Sequence, residues 1–315
     1  MDEILVNNFT VFNDIVSEEH YDLVIGDEAW DIDYFLHENP ELKHFAFAWM
    51  TDFVEWLPMP DGGEHEAMLT ADYNAEMIEQ RARYKRLRDR SIFIGEPDDI
   101  IPDSFGAQLP GIREWTVANF EFSGYVTGFD PAEFADRELL RAELGYRPGE
   151  LVCVVTVGGS GVGGDLVRRV VDAAPAARRL VDGLRFVIVV GPRIDPRALP
   201  RRKGVSYHRY VPQLYRHLAA CDLAIVHGGL TTCMELTANR RPFIYVPLQH
   251  HFEQNFHVHH RLQRYGAGRR LDYSDAADPD RLSKAIAEEL DHTVDYLPID
   301  PHGAARAAAS IAELL

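Results

Sequence analysis

Apolar and polar positions follow two regimes along the chain. In the second half, short apolar and largely β-branched runs at 151–157, 186–190, 223–226 and 243–246 alternate with stretches of helical spacing at 165–181, 214–220, 231–239 and 252–265. Further strands are predicted at 205–207 and 268–271, and helices at 278–289 and 304–315. Unbroken apolar strands separated by helices imply a parallel sheet covered on both faces, a doubly wound α/β domain. The first half is less regular. It predicts a helix at 4–17, a strand at 23–26 ending in Asp27, a short helix at 34–38, and a strand at 44–49. A long helix at 67–90 follows, basic near its C-terminal end as the helix dipole favours, then strands at 91–95 and 120–126. The interval 127–150, with Pro131, Pro148 and Gly149, holds the best boundary, giving domains 1–140 and 141–315.

Composition narrows the class. With 315 residues, 46% hydrophobic and 26% charged, the chain has the make-up of a globular protein with a sizeable core. No run approaches the roughly 20 apolar residues of a membrane span. The start, Met1-Asp2-Glu3, lacks the basic character of a secretory signal, and Cys153, Cys221 and Cys233 form neither a disulfide framework nor a metal-ligand spacing. A cytoplasmic setting is expected. The net charge of -18 is uneven: residues 1–150 hold 33 Asp and Glu against 11 Lys and Arg, a net -22, while residues 151–315 net +4. The acidic half argues against nucleic acid and against docking on anionic lipid; the other half is the better place for an anionic small ligand.

Two turns carry candidate chemistry. Gly158-Gly159-Ser160-Gly161-Val162-Gly163-Gly164 joins a strand to a helix, where glycines let backbone approach a ligand and the helix N-terminus favours phosphate. It lacks the Lys-Ser/Thr ending of a P-loop, and no acidic residue follows at the distance of a Rossmann dinucleotide site, so NAD is disfavoured. Read alone, it serves equally as a plain connector. The second turn is His227-Gly228-Gly229-Leu230-Thr231-Thr232, followed by Glu235 in the helix, Pro242, Pro247 and Glu253-Gln254. Both turns lie at carboxyl ends of parallel strands, where ligands of such folds bind. His227, the N–H groups at 230–232 and the Thr hydroxyls suit phosphate oxygens, and Glu235 suits ribose hydroxyls. Taken singly, a structural histidine and a solvated glutamate are the simpler readings.

With Tyr210-Val211-Pro212-Gln213 upstream, this ordered set resembles the nucleotide-sugar glycosyltransferases of the two-domain GT-B type. That group includes the undecaprenyl-pyrophosphoryl-muramyl-peptide N-acetylglucosaminyltransferases, with their family 28 C-terminal domain, and the UDP-glycosyltransferases. The resemblance spans roughly 151–315, and spacings from His227 to Pro247 fit without a gap. Arg241 stands in place of the family's Gly, with Asn239 expected as a left-handed helix stop, and Tyr210 replaces the commoner Trp. The resemblance implies two Rossmann-like domains. It implies Tyr210 against the uracil, the Val211 backbone on the base, and Gln213 near base or ribose. It places Ser160, Gly161, His227, Gly229, Leu230, Thr231 and Thr232 around the pyrophosphate, Glu235 on the ribose, and Glu253 with Gln254 on the donor hexose.

The activity so implied is inverting transfer of a hexose of glucose, galactose or N-acetylglucosamine type. The donor is a UDP-sugar, the acceptor a hydroxyl on a small molecule or lipid, and neither a metal nor a further cofactor is called for. A general base deprotonates the acceptor while helix dipoles and His227 hold the leaving diphosphate. In the resembled enzymes that base follows the first strand of the N-terminal domain, and this chain starts past that strand, so its first domain is expected to lack the opening β-α element. Asp27 matches the later, orienting Asp, or serves as base itself, with Asp31 and Asp33 in reserve; a turn or cap role is the simpler alternative. Other readings are a nucleotide-sugar-binding subunit or fragment without its own base, a partner chain or second copy supplying the missing element, and an enzyme like the UDP-N-acetylglucosamine 2-epimerases. Phe45, Phe47, Trp49, Phe53 and Trp56 either line an acceptor pocket or, more simply, form one face of a buried strand.

Overall fold

The computed structural model describes residues 2–159 and 161–315. Two compact units result, one of Met1–Gly128 with Asp300–Leu315 and one of Phe129–Ile299.

The first unit contains α1 (Asp2–Glu18), β1 (Leu23–Asp27), α2 (Trp30–Glu38), β2 (Ala46–Thr51), α3 (Gly63–Arg83), β3 (Arg90–Phe93), α4 (Ile112–Asn119) and β4 (Glu121–Phe122). Its four strands form a parallel sheet in the order β1-β2-β3-β4, with Asp27 level with Met50 at the carboxyl end. Alternation along β2 sorts its side chains. Phe47 and Trp49 are completely buried in an aromatic core on one face. Ala48 and Met50 meet Ala307 and Ile311 of the last helix on the other. The aromatic run is therefore mainly the buried face of a strand, and of its members only Trp56 is substantially exposed.

The second unit contains α5 (Arg137–Glu143), β5 (Val152–Thr156), α6 (Gly164–Leu180), β6 (Arg185–Val189), β7 (Val205–His208), α7 (Leu214–Ala220) and β8 (Leu223–Val226). It continues through α8 (Leu230–Ala238), β9 (Phe243–Tyr245), a π-helical turn at Gln254–Val258, α9 (His259–Tyr265), β10 (Arg269–Arg270) and α10 (Pro279–Leu290). The six strands are parallel in the order β10-β9-β8-β5-β6-β7. Every residue of β5 and β8 is buried, as unbroken apolar strands covered on both faces require.

The division falls at 128/129 rather than at 140/141. Phe129 stacks on Tyr215 at 5.0 Å, and Arg137 and Arg141 hydrogen-bond the Ala220 carbonyl and the Asp222 carboxylate, so this stretch belongs with α7. The last helix, α11 (Gly303–Ala312), returns to the first unit, where Arg306 Nε donates to the Ser123 carbonyl at 2.7 Å and Gly303 abuts the Tyr125 carbonyl.

Three local expectations also shift. The helix predicted to reach residue 90 stops at Arg83, because Arg88 leaves it to pair with Asp33 across 55 positions of sequence. The strand predicted at 120–126 shrinks to two residues before Gly124, whose φ is +72°. The left-handed residue after α8 is Arg240 (φ 51°), while Asn239 closes the helix with its side-chain amide on the Glu235 carbonyl at 2.8 Å. Among the described residues, no helix is long and apolar enough to cross a membrane.

Candidate functional site

The site grows from sheet register in the second unit. Thr156 of β5, Val226 of β8 and Tyr245 of β9 lie level with one another, so their following loops emerge side by side about 4.8 Å apart. Gly158 (φ +73°) and Gly161 (φ +82°) hold backbone conformations that side chains resist. Gly163 is required for a different reason: a Cβ there would collide with Val157 and lie 3.0 Å from His227 Cε1. The β5 loop thus lies directly on the His227 ring. Ser160 lies outside the described residues.

Helix α6 follows Gly163 and helix α8 follows Gly229, and neither glycine offers a side-chain cap. The first-turn N–H groups of both helices are left to other acceptors, with the positive dipole ends at the carboxyl ends of adjacent central strands. In α8 this first turn comprises Leu230, Thr231 and Thr232, Leu230 turned into the core and Thr231 exposed.

His227 is 8% exposed, and its Nε2 is buried with no hydrogen-bond partner among the described residues. Burial, with the nearby His251 imidazole opposing a second positive charge, pushes its pKa down to about 4. The ring is therefore neutral at physiological pH. Glu235 lies further along α8. Burial without a compensating cation pushes its carboxyl up to about 7, and the carboxylate engages none of the described residues. A half-buried acid without a cation suits hydroxyl groups brought by a ligand.

The π-helical turn carries Gln254 beside half-buried Glu253. Such turns often occur at functional sites. The Gln254 carbonyl oxygen is already committed, accepting from Leu248 N at 3.0 Å. Its amide N–H groups are uncommitted among the described residues and can donate to a sugar hydroxyl.

Tyr210, Val211 and Gln213 follow β7, three strands from β8 at the sheet edge. Tyr210 is 75% exposed. With Val211 it lines a cavity of about 300 Å³ that also involves Tyr146, Arg185, His208 and His217. Gln213 adopts the left-handed conformation (φ 52°, ψ 48°) before α7 and lines a separate cavity of about 290 Å³. Neither cavity includes His227, Glu235 or Gln254, so the structure gathers the phosphate-type residues and leaves the base-type residues apart.

In the first unit, Asp27 is exposed at the end of edge strand β1, with no partner among the described residues. Asp31 accepts from Ile32 N at 3.0 Å. Asp33 is withdrawn from solvent in a bidentate pair with Arg88, Nε to Oδ1 at 2.6 Å, and this commits it to structure.

Sequence reasoning missed three residues. Glu55 is buried after β2, accepts from Val54 N at 3.1 Å, and has its pKa pushed up to about 7, chiefly by burial. An acid inside the apolar run Phe53-Val54-Glu55-Trp56-Leu57 was its signal. Gly163 was one glycine among many, and His251 one histidine in a His-rich stretch.

Comparisons with known proteins bear on the family and the fold. Residues 152–315, just over half of the chain, match the family model described as the glycosyltransferase family 28 C-terminal domain. The uncharacterized glycosyltransferase MK0977 of Methanopyrus kandleri is 32% identical over 192 residues, 59% of this chain and 52% of that protein. The UDP-N-acetylglucosamine--N-acetylmuramyl-(pentapeptide) pyrophosphoryl-undecaprenol N-acetylglucosamine transferase of Mycolicibacterium smegmatis is 33% identical over 151 residues, 47% of this chain and 36% of that protein. The matched segments thus span about half or less of these relatives' lengths. The crystal structure of Medicago truncatula UGT71G1 complexed with UDP-glucose superposes with a TM-score of 0.61 at 12% identity, covering 98% of this chain and 79% of that one. At that identity the likeness concerns the fold, two Rossmann-like α/β domains of GT-B type. Motif order, strand-end geometry and the family match converge: the chain belongs to the glycosyltransferase family 28 C-terminal domain family.

Proposed function

We propose that the second unit binds the diphosphate of a UDP-sugar, and that the chain serves an inverting hexosyltransferase acting on a hydroxyl acceptor. The observation that carries this reading is the buried His227 Nε2, without a hydrogen-bond partner among the described residues, beside the glycine-capped starts of α6 and α8. A buried polar atom left unpaired is costly, and a phosphate oxygen supplies what it lacks. The neutral ring donates through Nε2–H, and the two helix N-termini add N–H groups and dipole. As the bond from the anomeric carbon to the diphosphate breaks, these donors hold the growing negative charge. Glu235 accepts from the ribose hydroxyls. Glu253 and the Gln254 amide select the hexose. Asp27 takes the acceptor proton, or orients the group that does. Three buried cysteines, none bridged, fit a reducing cytoplasmic setting.

The test is a screen of the purified chain with UDP-sugars and TDP-sugars for nucleoside diphosphate release. Release from a UDP-hexose, abolished in Asp27→Asn with UDP affinity intact, supports the full reading; undiminished release in Asp27→Asn removes Asp27 from the chemistry. A second reading, a nucleotide-sugar-binding subunit without its own base, is favoured by the absence of any orienting partner for Asp27 among the described residues. It predicts UDP binding without turnover.

A further inference from the structure

We propose that His251 is a second side chain on the donor's terminal phosphate, closing on the same group as His227 from the neighbouring strand end. This rests on the reading of the second unit as a nucleoside-diphosphate-sugar site.

The segment after β9, Pro247 to His251, is fixed by side chains of the π-helical turn. Leu248 N donates to Gln254 Oε1 at 3.0 Å. Asn255 Nδ2 donates to the Leu248 carbonyl at 2.7 Å and the His251 carbonyl at 2.9 Å. Asn255 is fixed in turn by Arg270, which donates to its Oδ1 at 3.1 Å. The backbone around His251 is thus heavily engaged, while Nδ1 of its ring is buried without a hydrogen-bond partner among the described residues.

Strands β8 and β9 are adjacent, with Val226 level with Tyr245. The His227 loop lies against the β9 end, since a Cβ on Gly228 would come within 3.6 Å of Tyr245 and 4.0 Å of Pro247. The two imidazoles are near enough for His251 to oppose protonation of His227. Adjacent loops therefore carry two imidazoles, each with one buried ring nitrogen and no partner for it among the described residues. An oxyanion with several acceptor oxygens satisfies both, with each ring donating in the tautomer that places a proton on the free nitrogen. His251 also lies two residues before the Glu253-Gln254 pair proposed for the hexose. The phosphate bonded to the sugar is the one within reach of both. The role is thus to discriminate a diphosphate from a monophosphate.

Calorimetric titration of the full chain with UDP and with UMP tests this. In His251→Ala, UDP affinity should fall tenfold or more and UMP affinity stay within twofold of wild type. His251→Asn, which keeps an amide donor, should recover part of the UDP loss and provides the same comparison if the alanine variant folds poorly. In His227→Ala/His251→Ala the losses should be less than additive, since both rings serve one phosphate. Equal weakening of UDP and UMP would assign His251 a structural role and overturn the proposal. So would an unchanged UDP affinity, which would mean that water serves Nδ1. Failure of wild type to bind either nucleotide would instead overturn the underlying reading of the site.

Discussion

Two particular sets of buried polar groups, one in each unit, are handled in opposite ways. In the first, Asp33 and Arg88 satisfy each other, with the guanidinium lying 4.8 Å from the Trp49 ring centroid, and the pair ties α2 to the segment before β3. In the second, among the described residues, His227 and His251 each keep a buried ring nitrogen without a partner, and Glu235 keeps a carboxylate without a cation. Internal pairing marks polar groups that hold a fold together. Unpaired polar groups gathered at the carboxyl ends of neighbouring strands mark a place prepared for a ligand. Charge follows the same division, since the chain's acidic excess lies in its first half.

Breaking the internal pair should have the largest effect. Asp33→Ala leaves Arg88 as an uncompensated buried charge and should destabilise the first unit by about 3–5 kcal/mol in urea unfolding. Stability unchanged within 1 kcal/mol would show that the pair contributes nothing. Gly163→Ala should cost about 1–3 kcal/mol, because the added methyl must displace Val157 and press on His227. Unlike the Asp33 change, it should also reduce UDP affinity; a loss of stability with affinity untouched would separate this loop from the ligand.

The pH dependence sharpens the contrast. Glu235 in the folded chain has its pKa raised to about 7, so folding favours its protonated form. Its contribution is most favourable below the unfolded value of about 4.3 and is lost as pH rises through about 7. Replacing it removes that loss: Glu235→Gln should gain stability relative to wild type as pH rises from about 4.5 to 7, by about 3 kcal/mol at most. A difference between the two proteins that does not vary with pH would refute the raised pKa. His227 has the opposite sign. Its pKa is depressed to about 4, so stability is complete above the unfolded value of about 6.5 and falls as pH drops toward 4. The smallest effect is expected from Gln254→Met, which fills similar volume but leaves Leu248 N without its acceptor, at about 1 kcal/mol in thermal unfolding.

The second unit was the more legible in sequence for a physical reason. Its strands are buried on both faces, so they read as unbroken apolar runs ending at glycines, and 214–220 and 223–226 were predicted to the residue. The phosphate-type residues were visible because short glycine turns fix their relation to those strand ends. What stayed hidden depends on distant partners. The end of α3 is set by Asp33, far upstream of Arg88. The return of α11 to the first sheet is set by Ala48 and Ile92, and an alanine-rich amphipathic helix does not encode which sheet it will cover. The prior engagement of Gln254 by Leu248 and the exposure of Tyr210 could not be read from spacing alone.

The most direct test of the ligand-site assignment is calorimetric titration of UDP into the full chain and into His227→Ala, with unfolding curves run in parallel. Wild type should bind UDP with one site per chain. His227→Ala should lose at least tenfold in affinity while remaining folded. A folded His227→Ala variant that binds UDP as tightly as wild type would contradict the assignment of the unpartnered imidazole to the donor phosphate.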